Sequence, residues 1–204
     1  MSLGEQFPDV LEAARLGAEW AWRALHRELA PVLIAYLSGR RASDPEDLAG
    51  EVFLRLFRDL PRFEGGEPEF RAFAFTIAHH RLLDERRSAR HRREQPAPAE
   101  QLERRASSGD AEAEALDELQ TEEIRRLVEC LSPDQRDVLL LRIVGGLNAE
   151  EVARVVGKGA WAVRALQRRG FVALRKKFPR NAYNFERAGR LSGRDGTPER
   201  PERR

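Results

Sequence analysis

Residues 147–178 read LNAEEVARVVGKGAWAVRALQRRGFVALRKKF. Asn148 stands three positions before Glu151, a helix start in which each side chain can satisfy the other's backbone N–H. Val152, Val155 and Val156 follow at three- and four-residue steps, the period of a helix face. Gly157-Lys158-Gly159 then interrupts the run, and a second helix is expected from Ala160 to about Phe178. Its apolar side is Val163, Leu166, Phe171 and Leu174. A short helix, a glycine turn and a longer basic helix make the helix-turn-helix pattern, whose second helix lies in the major groove of DNA. Arg164 and Arg168 lie four apart on one face, and arginine is the commonest side chain paired with guanine. Lys158 and the basic run 175–177 suit phosphates. A plain helical hairpin would show the same apolar spacing, so the charge of the face carries the reading. Gly-Lys-Gly is no phosphate loop, because no strand leads in and the earlier glycine is missing.

Upstream, Ser132 and Pro133 mark another helix start, with Val138, Leu139, Leu141, Arg142 and Val144 following before Gly145-Gly146. Charge along the chain follows the same division. The total is 36 Lys+Arg against 34 Asp+Glu, a net of only +2 on 204 residues. Residues 71–93 hold seven arginines against two acids, and residues 154–177 hold eight basic residues and no acid. Between them, residues 94–123 hold ten acids against two arginines. Two basic blocks separated by an acidic one fit a polyanion partner contacted at two places. The acidic stretch, with its prolines, small residues and lack of aromatics, reads as a flexible tether, and residues 179–204 as a basic disordered tail. The ordered parts are then expected at about 10–93 and 123–178.

The first ordered part also repeats only at helical spacing. Trp20, Ala24, Leu25, Leu29, Val32, Leu33, Tyr36 and Leu37 suggest one long helix or two, depending on what Pro31 does. Ser43 three before Glu46, with Pro45 between, reads as a capping box. Leu48, Val52, Phe53, Leu56 and Leu60 form the next apolar stripe, while Asp44, Asp47 and Glu51 lie on another face. Pro61, Gly65, Gly66 and Pro68 break that helix. A third begins near Glu69 with Phe70, Phe73, Ala74, Ile77 and Leu82 inward, and becomes arginine-rich toward its end. Phe63, in the Gly/Pro loop, is expected to be exposed, where an aromatic ring near arginines can stack on an unpaired base.

Other classes are excluded by the same inventory. One cysteine, Cys130, allows no internal disulfide and no multi-cysteine zinc site, and is read as a small core residue. Adjacent His79 and His80 point in different directions on a helix and make no metal pair. No apolar run reaches the roughly 20 residues of a membrane span, and the start is no signal peptide, so a cytoplasmic location is expected. No nucleophile–base constellation is visible; neither enzyme activity nor a cofactor is expected.

DPEDLAGEVFLRLFRDLPRFEG followed by FRAFAFTIAHHRLLDERR resembles region 2 of the extracytoplasmic-function (ECF) subfamily of RNA polymerase sigma factors, and LSPDQRDVLLLRIVGGLNAEEVARVVGKGAWAVRALQRRGFVALRKKF resembles their region 4. The resemblance implies an all-α chain of two small helical domains. Region 2 would occupy residues 1–93 with its core at about 17–93, the first 15 residues lying outside the resemblance; a flexible acidic linker would follow at 94–122, the helix-turn-helix domain at 123–178, and a tail at 179–204. It implies a transcription initiation factor that binds core RNA polymerase and directs it to promoters. Asp47, Glu51, Leu54 and Arg55 would then dock on polymerase. Phe63, His80, Arg81, Arg86 and Arg87 would take the single-stranded −10 element, with Phe63 and His80 at an extruded base. Lys158, Arg164, Ala165, Arg168 and Arg169 would contact the −35 duplex. An anti-sigma factor is the further partner that such a family allows. Gly50, Gly159, Trp161 and Gly170 depart from the family pattern, Trp161 filling a position that is often small. The other reading of the same residues is a stand-alone helix-turn-helix repressor or activator with an N-terminal dimerisation or sensing domain; a remoter one is an adaptor that sequesters an anti-sigma factor.

Overall fold

A computed structural model of the chain describes residues 3–94 and 127–179. Within them lie seven α-helices: α1 (Phe7–Arg15), α2 (Glu19–Gly39), α3 (Pro45–Asp59), α4 (Glu67–Glu94), α5 (Pro133–Ile143), α6 (Ala149–Val156) and α7 (Ala160–Lys177). Short 3-10 turns, Gly4–Gln6 and Leu60–Arg62, precede α1 and follow α3. No strand occurs among the described residues, so the all-α expectation stands. The acidic linker and the basic tail fall outside the described residues.

Helix α1 lies largely in a part of the sequence that the resemblance leaves unplaced. Phe7, Val10, Leu11 and Ala14 are spaced i, i+3, i+4 and i+7, and all four are buried. That spacing is the period of an amphipathic helix, and tertiary anchors hold it in place. The indole N–H of Trp22 donates to the Ala14 carbonyl at 3.0 Å, and Phe7 packs on Phe70 with centroids 5.7 Å apart. The Glu67 carboxylate accepts from the backbone N–H groups of Leu3 and Gly4, tying the chain start to the first turn of α4.

Pro31 neither divides nor ends α2, which runs through it for 21 residues. An interior proline removes one backbone hydrogen bond and crowds the preceding turn. Burial of Leu25, Leu29, Leu33, Tyr36 and Leu37 along one stripe outweighs that loss. The cap of α3 is Asp44 rather than Ser43: its carboxylate accepts from the Asp47 N–H at 3.0 Å. Ser43 turns instead to α4, its N–H and hydroxyl both donating to Glu85. Gly50 lies on the solvent side of α3, and a Cβ there would meet nothing within 4 Å. Gly50→Ala is therefore expected to stabilise the protein by about 1 kcal/mol, the helix-propensity difference, measurable as a rise in the urea midpoint at unchanged slope.

In the second group, Ser132–Gln135 and Asn148–Glu151 form complete capping boxes at α5 and α6. Gly157, in the left-handed region at φ 65, ends α6 and starts the turn into α7. Arg142 is 5% exposed and donates to the Leu147 carbonyl at 2.7 Å and to Gln167 at 3.2 Å, so it ties α5 to the turn and to α7. Gly170 lets α7 approach α5 closely: a Cβ there would come within 2.7 Å of the Leu139 side chain. The glycine that interrupts α7 by propensity thus has a packing role, since a Cβ there would have to push the Leu139 side chain aside.

The two groups pack against each other, chiefly through α4 on α6, and their apolar residues form one continuous core. Gly145 presses on the Phe75 ring, with room for no side chain between. Arg40, at the end of α2, is ion-paired with Asp137 of α5; they are 3% and 7% exposed.

Candidate polymerase- and nucleic-acid-binding surfaces

Helix α3 divides into two stripes. Leu48, Val52 and Leu56 are buried, whereas Asp47, Glu51, Leu54 and Arg55, spaced i, i+4, i+7 and i+8, line the outer side. Leu54 is 62% and Phe57 58% exposed, an apolar pair that folding leaves in water. Trp22 and Phe53 extend it, Trp22 lying 5.0 Å from Phe57 and Phe53 4.5 Å from His26 by ring centroids. Arg55 is ion-paired with Asp59 one turn on. Trp20, placed inward by the sequence pattern, is 54% exposed. Phe57 and Trp22 are the members of this surface that sequence reasoning missed; for Phe57 its departure from the 48–52–56 stripe was the available signal.

Along α4, Phe70, Ala74, Phe75 and Leu82 are core, while Phe73 and Ile77 are half-buried. Phe63 is not free in its loop. It is half-buried, stacked on Phe73 at 5.6 Å and edge-on to Phe70 at 5.3 Å. Its carbonyl accepts from Arg15, so α1 braces the loop. His80 is exposed, on the same face as Phe73 and two turns beyond it, about 10 Å along the helix. Phe63 and His80 therefore stand about two turns apart along the outer face of α4 rather than in one pocket. Arg81 lies beside it, 3.6 Å from Glu51. Arg87 is exposed and paired with Asp84 at 3.3 Å. Arg86 turns inward instead, donating to the Arg40 carbonyl at the packed interface.

That interface is polar at its centre. A cleft of about 290 Å³ is lined by Arg40, His79, Arg86, Asp134, Asp137 and Lys158, among others. His79 is buried with its Nδ1 2.9 Å from the Tyr36 hydroxyl. Burial, with the charges of Arg40, His80 and Arg86, pushes its pKa down to about 4, so the ring is neutral. Burial also holds the Tyr36 phenol well above its ordinary value, which keeps its proton on. Burial pushes Asp137 up to about 6 despite Arg40 and Arg86 beside it.

The helix-turn-helix presents a cationic face. Helix α7 carries no acidic residue, and its last turn is Arg175, Lys176 and Lys177. Val163, Gly170 and Leu174 face the core, whereas Arg164, Arg168 and Arg169 are exposed and Ala165 is half-exposed among them. Arg164 is paired with Glu150 of α6, Lys158 with Asp134 at 3.1 Å, and Arg169 donates to the Ala165 carbonyl at 3.3 Å. The N-cap of α7 is Gly159, with no side-chain hydrogen bond and open space around it. Trp161, in the first turn, is 82% exposed.

Comparison with known proteins accounts for both halves. The family model Sigma-70 region 2 matches residues 20–92, and Sigma-70, region 4 matches residues 127–176. Over 179 residues the chain is 33% identical to the ECF RNA polymerase sigma factor SigD of Mycobacterium tuberculosis (strain ATCC 25618 / H37Rv), covering 84% of each protein. The chain belongs to the ECF RNA polymerase sigma factors. It is also 36% identical over 132 residues to the ECF RNA polymerase sigma factor ShbA of Streptomyces griseus, covering 64% of this chain and 69% of ShbA. The solved structure of CnrH in complex with the cytosolic domain of CnrY shares the fold at a TM-score of 0.55 and 21% identity, covering 84% of this chain and 96% of CnrH. The sigma factor binds core RNA polymerase and directs it to promoters, region 2 reading the −10 element and region 4 the −35 element. The stand-alone repressor or activator reading is not favoured. No helix among the described residues is long and apolar enough to cross a membrane.

Proposed function

We propose that the outer stripe of α3 is where this sigma factor docks on polymerase, through Asp47, Glu51, Leu54 and Arg55. One observation carries the proposal: Leu54 and Phe57 stay in water beside two carboxylates on a helix whose other face is fully buried. Apolar anchors rimmed by charge are the anatomy of a protein interface. The −10 strand follows the face of α4, with bases stacking at Phe63 and His80 and phosphates at Arg81 and Arg87; Arg86 joins them only where regions 2 and 4 part. Lys158 and Arg169 neutralise phosphates of the −35 duplex, while Arg164 and Arg168 reach base edges beside Ala165. The chain contributes no bond-making chemistry of its own and works in the cytoplasm, with region 2 at 1–93 and region 4 at 123–178 joined by the acidic linker. A small anti-sigma domain is a further partner, an idea supported by the CnrH–CnrY complex of the structural relative.

Replacing Asp47 and Glu51 together by Ala tests the docking surface. Core binding by the purified chain should fall at least tenfold, with the melting temperature within about a degree of the parent, since exposed changes usually cost under about 0.5 kcal/mol. Unchanged polymerase affinity would move the docking site away from α3.

A further inference from the structure

Trp161 has no role in the assignments above. It sits in the first turn of α7, and Arg164, Ala165 and Arg168 follow it at i+3, i+4 and i+7, so the four share one face of the helix. That face is turned away from the core, because Val163 and Leu174 bury the opposite side. The indole is 82% exposed, and neither a ring contact nor a hydrogen bond holds it among the described residues. A large apolar group left in water on a packed domain asks for an occupant, and its surroundings restrict the choice. Helix α7 has no acid, Arg168 is unpaired among the described residues, and Glu150, the exposed acid of α6 that reaches this face, is already taken by Arg164. The occupant is therefore polyanionic. In the major groove a base pair presents only one apolar group, the 5-methyl of thymine. Gly159 leaves the start of α7 uncluttered, with no atom within 4 Å of where its side chain would be, so the first turn can descend to the groove floor.

We propose that Trp161 is a specificity-determining residue of the −35 contact, reading a thymine through its methyl group. This rests on the assignment of α7 to the −35 duplex. Polymerase holoenzyme assembled with the full chain selects promoters from a library randomised across the −35 element. Each thymine of the selected element is then replaced singly by deoxyuridine, which removes the methyl and leaves pairing intact. Holoenzyme with the parent chain should lose about fourfold in promoter affinity at one thymine, the worth of one buried methyl-sized group. The Trp161→Ala holoenzyme should bind the thymine promoter more weakly and be indifferent to the same replacement, whereas Arg164→Ala should stay sensitive. The melting temperature of free Trp161→Ala should match the parent's, which separates lost recognition from lost folding. Selection of a −35 element without thymine, or equal methyl sensitivity in parent and Trp161→Ala, overturns the proposal. Loss of −35 preference in Arg164→Ala with no methyl effect in the parent would keep the placement of α7 and reject the role of Trp161.

Discussion

Arg40→Ala is expected to destabilise the packed protein by about 3–5 kcal/mol, because it leaves the Asp137 carboxylate buried without its cation. The two side chains are 3% and 7% exposed, so water replaces the lost partner only by way of the cleft beside them, and incompletely. The loss has a defined pH dependence. Burial already pushes Asp137 up to about 6, with Arg40 the foremost influence holding it down. Without Arg40 the carboxyl rises further above its unfolded value. A carboxyl raised in this way binds protons more tightly in the folded state, so folding is favoured as pH falls through the folded pKa. The difference between Arg40→Ala and the parent should thus shrink between pH 8 and pH 5. Urea titrations of both proteins at the two pH values read this directly. A double replacement, Arg40→Met with Asp137→Leu, should restore most of the stability, since an apolar pair of similar volume carries no desolvation penalty. A constant difference at both pH values would show that Asp137 is not the group left exposed to the loss.

Phe75→Ala should cost a similar amount, about 3–5 kcal/mol, through a different mechanism. The ring is fully buried, meets Tyr36 edge-on at 5.5 Å and supports Gly145 of region 4 on its far side. Truncation opens a cavity that belongs to both regions, and the rigid helices around it collapse only in part. Thermal melting by circular dichroism should show the loss, and limited proteolysis between α5 and α6 should accelerate. Phe75→Leu keeps most of the apolar surface and should recover more than half of the stability. An unaltered proteolysis rate in Phe75→Ala would show that the ring supports region 2 alone.

Features encoded locally could be read without coordinates. The capping residues Ser132 and Asn148, the glycine turn and the apolar stripes of α3 and α7 each depend on neighbours within four residues. Ser43 misled because three oxygen-bearing side chains, Ser43, Asp44 and Glu46, cluster at the start of α3; the choice of Asp44 follows from Glu85 of α4 capturing Ser43. Helix α1 depends on Phe70, Glu67 and Trp22, partners that no window of nine residues contains. The joining of regions 2 and 4 was the least legible feature. It rests on α4 packing against α6 and on the pairing of Arg40 with Asp137, nearly a hundred residues apart, and neither residue stands out among so many charged neighbours. Of the site residues, the basic face of α7 and the outer stripe of α3 were visible as periodic charge. The inward turn of Arg86 was not, since its sequence context matches that of Arg87.

Gly170 bears on how finely promoters can be discriminated. Its missing side chain seats α7 on Leu139, while Val163 and Leu174 pin the helix on either side. Trp161 lies nine residues away, about 14 Å along the axis. The contact with Leu139 and the burial of Val163 and Leu174 together fix how α7 sits on α5. Any side chain at position 170 must displace Leu139 or shift α7 against α5. Hydrogen bonds to bases tolerate only a few tenths of an ångström in length. With α7 placed on the −35 duplex as proposed, discrimination there would depend on a residue packed against α5 as well as on those that face the bases.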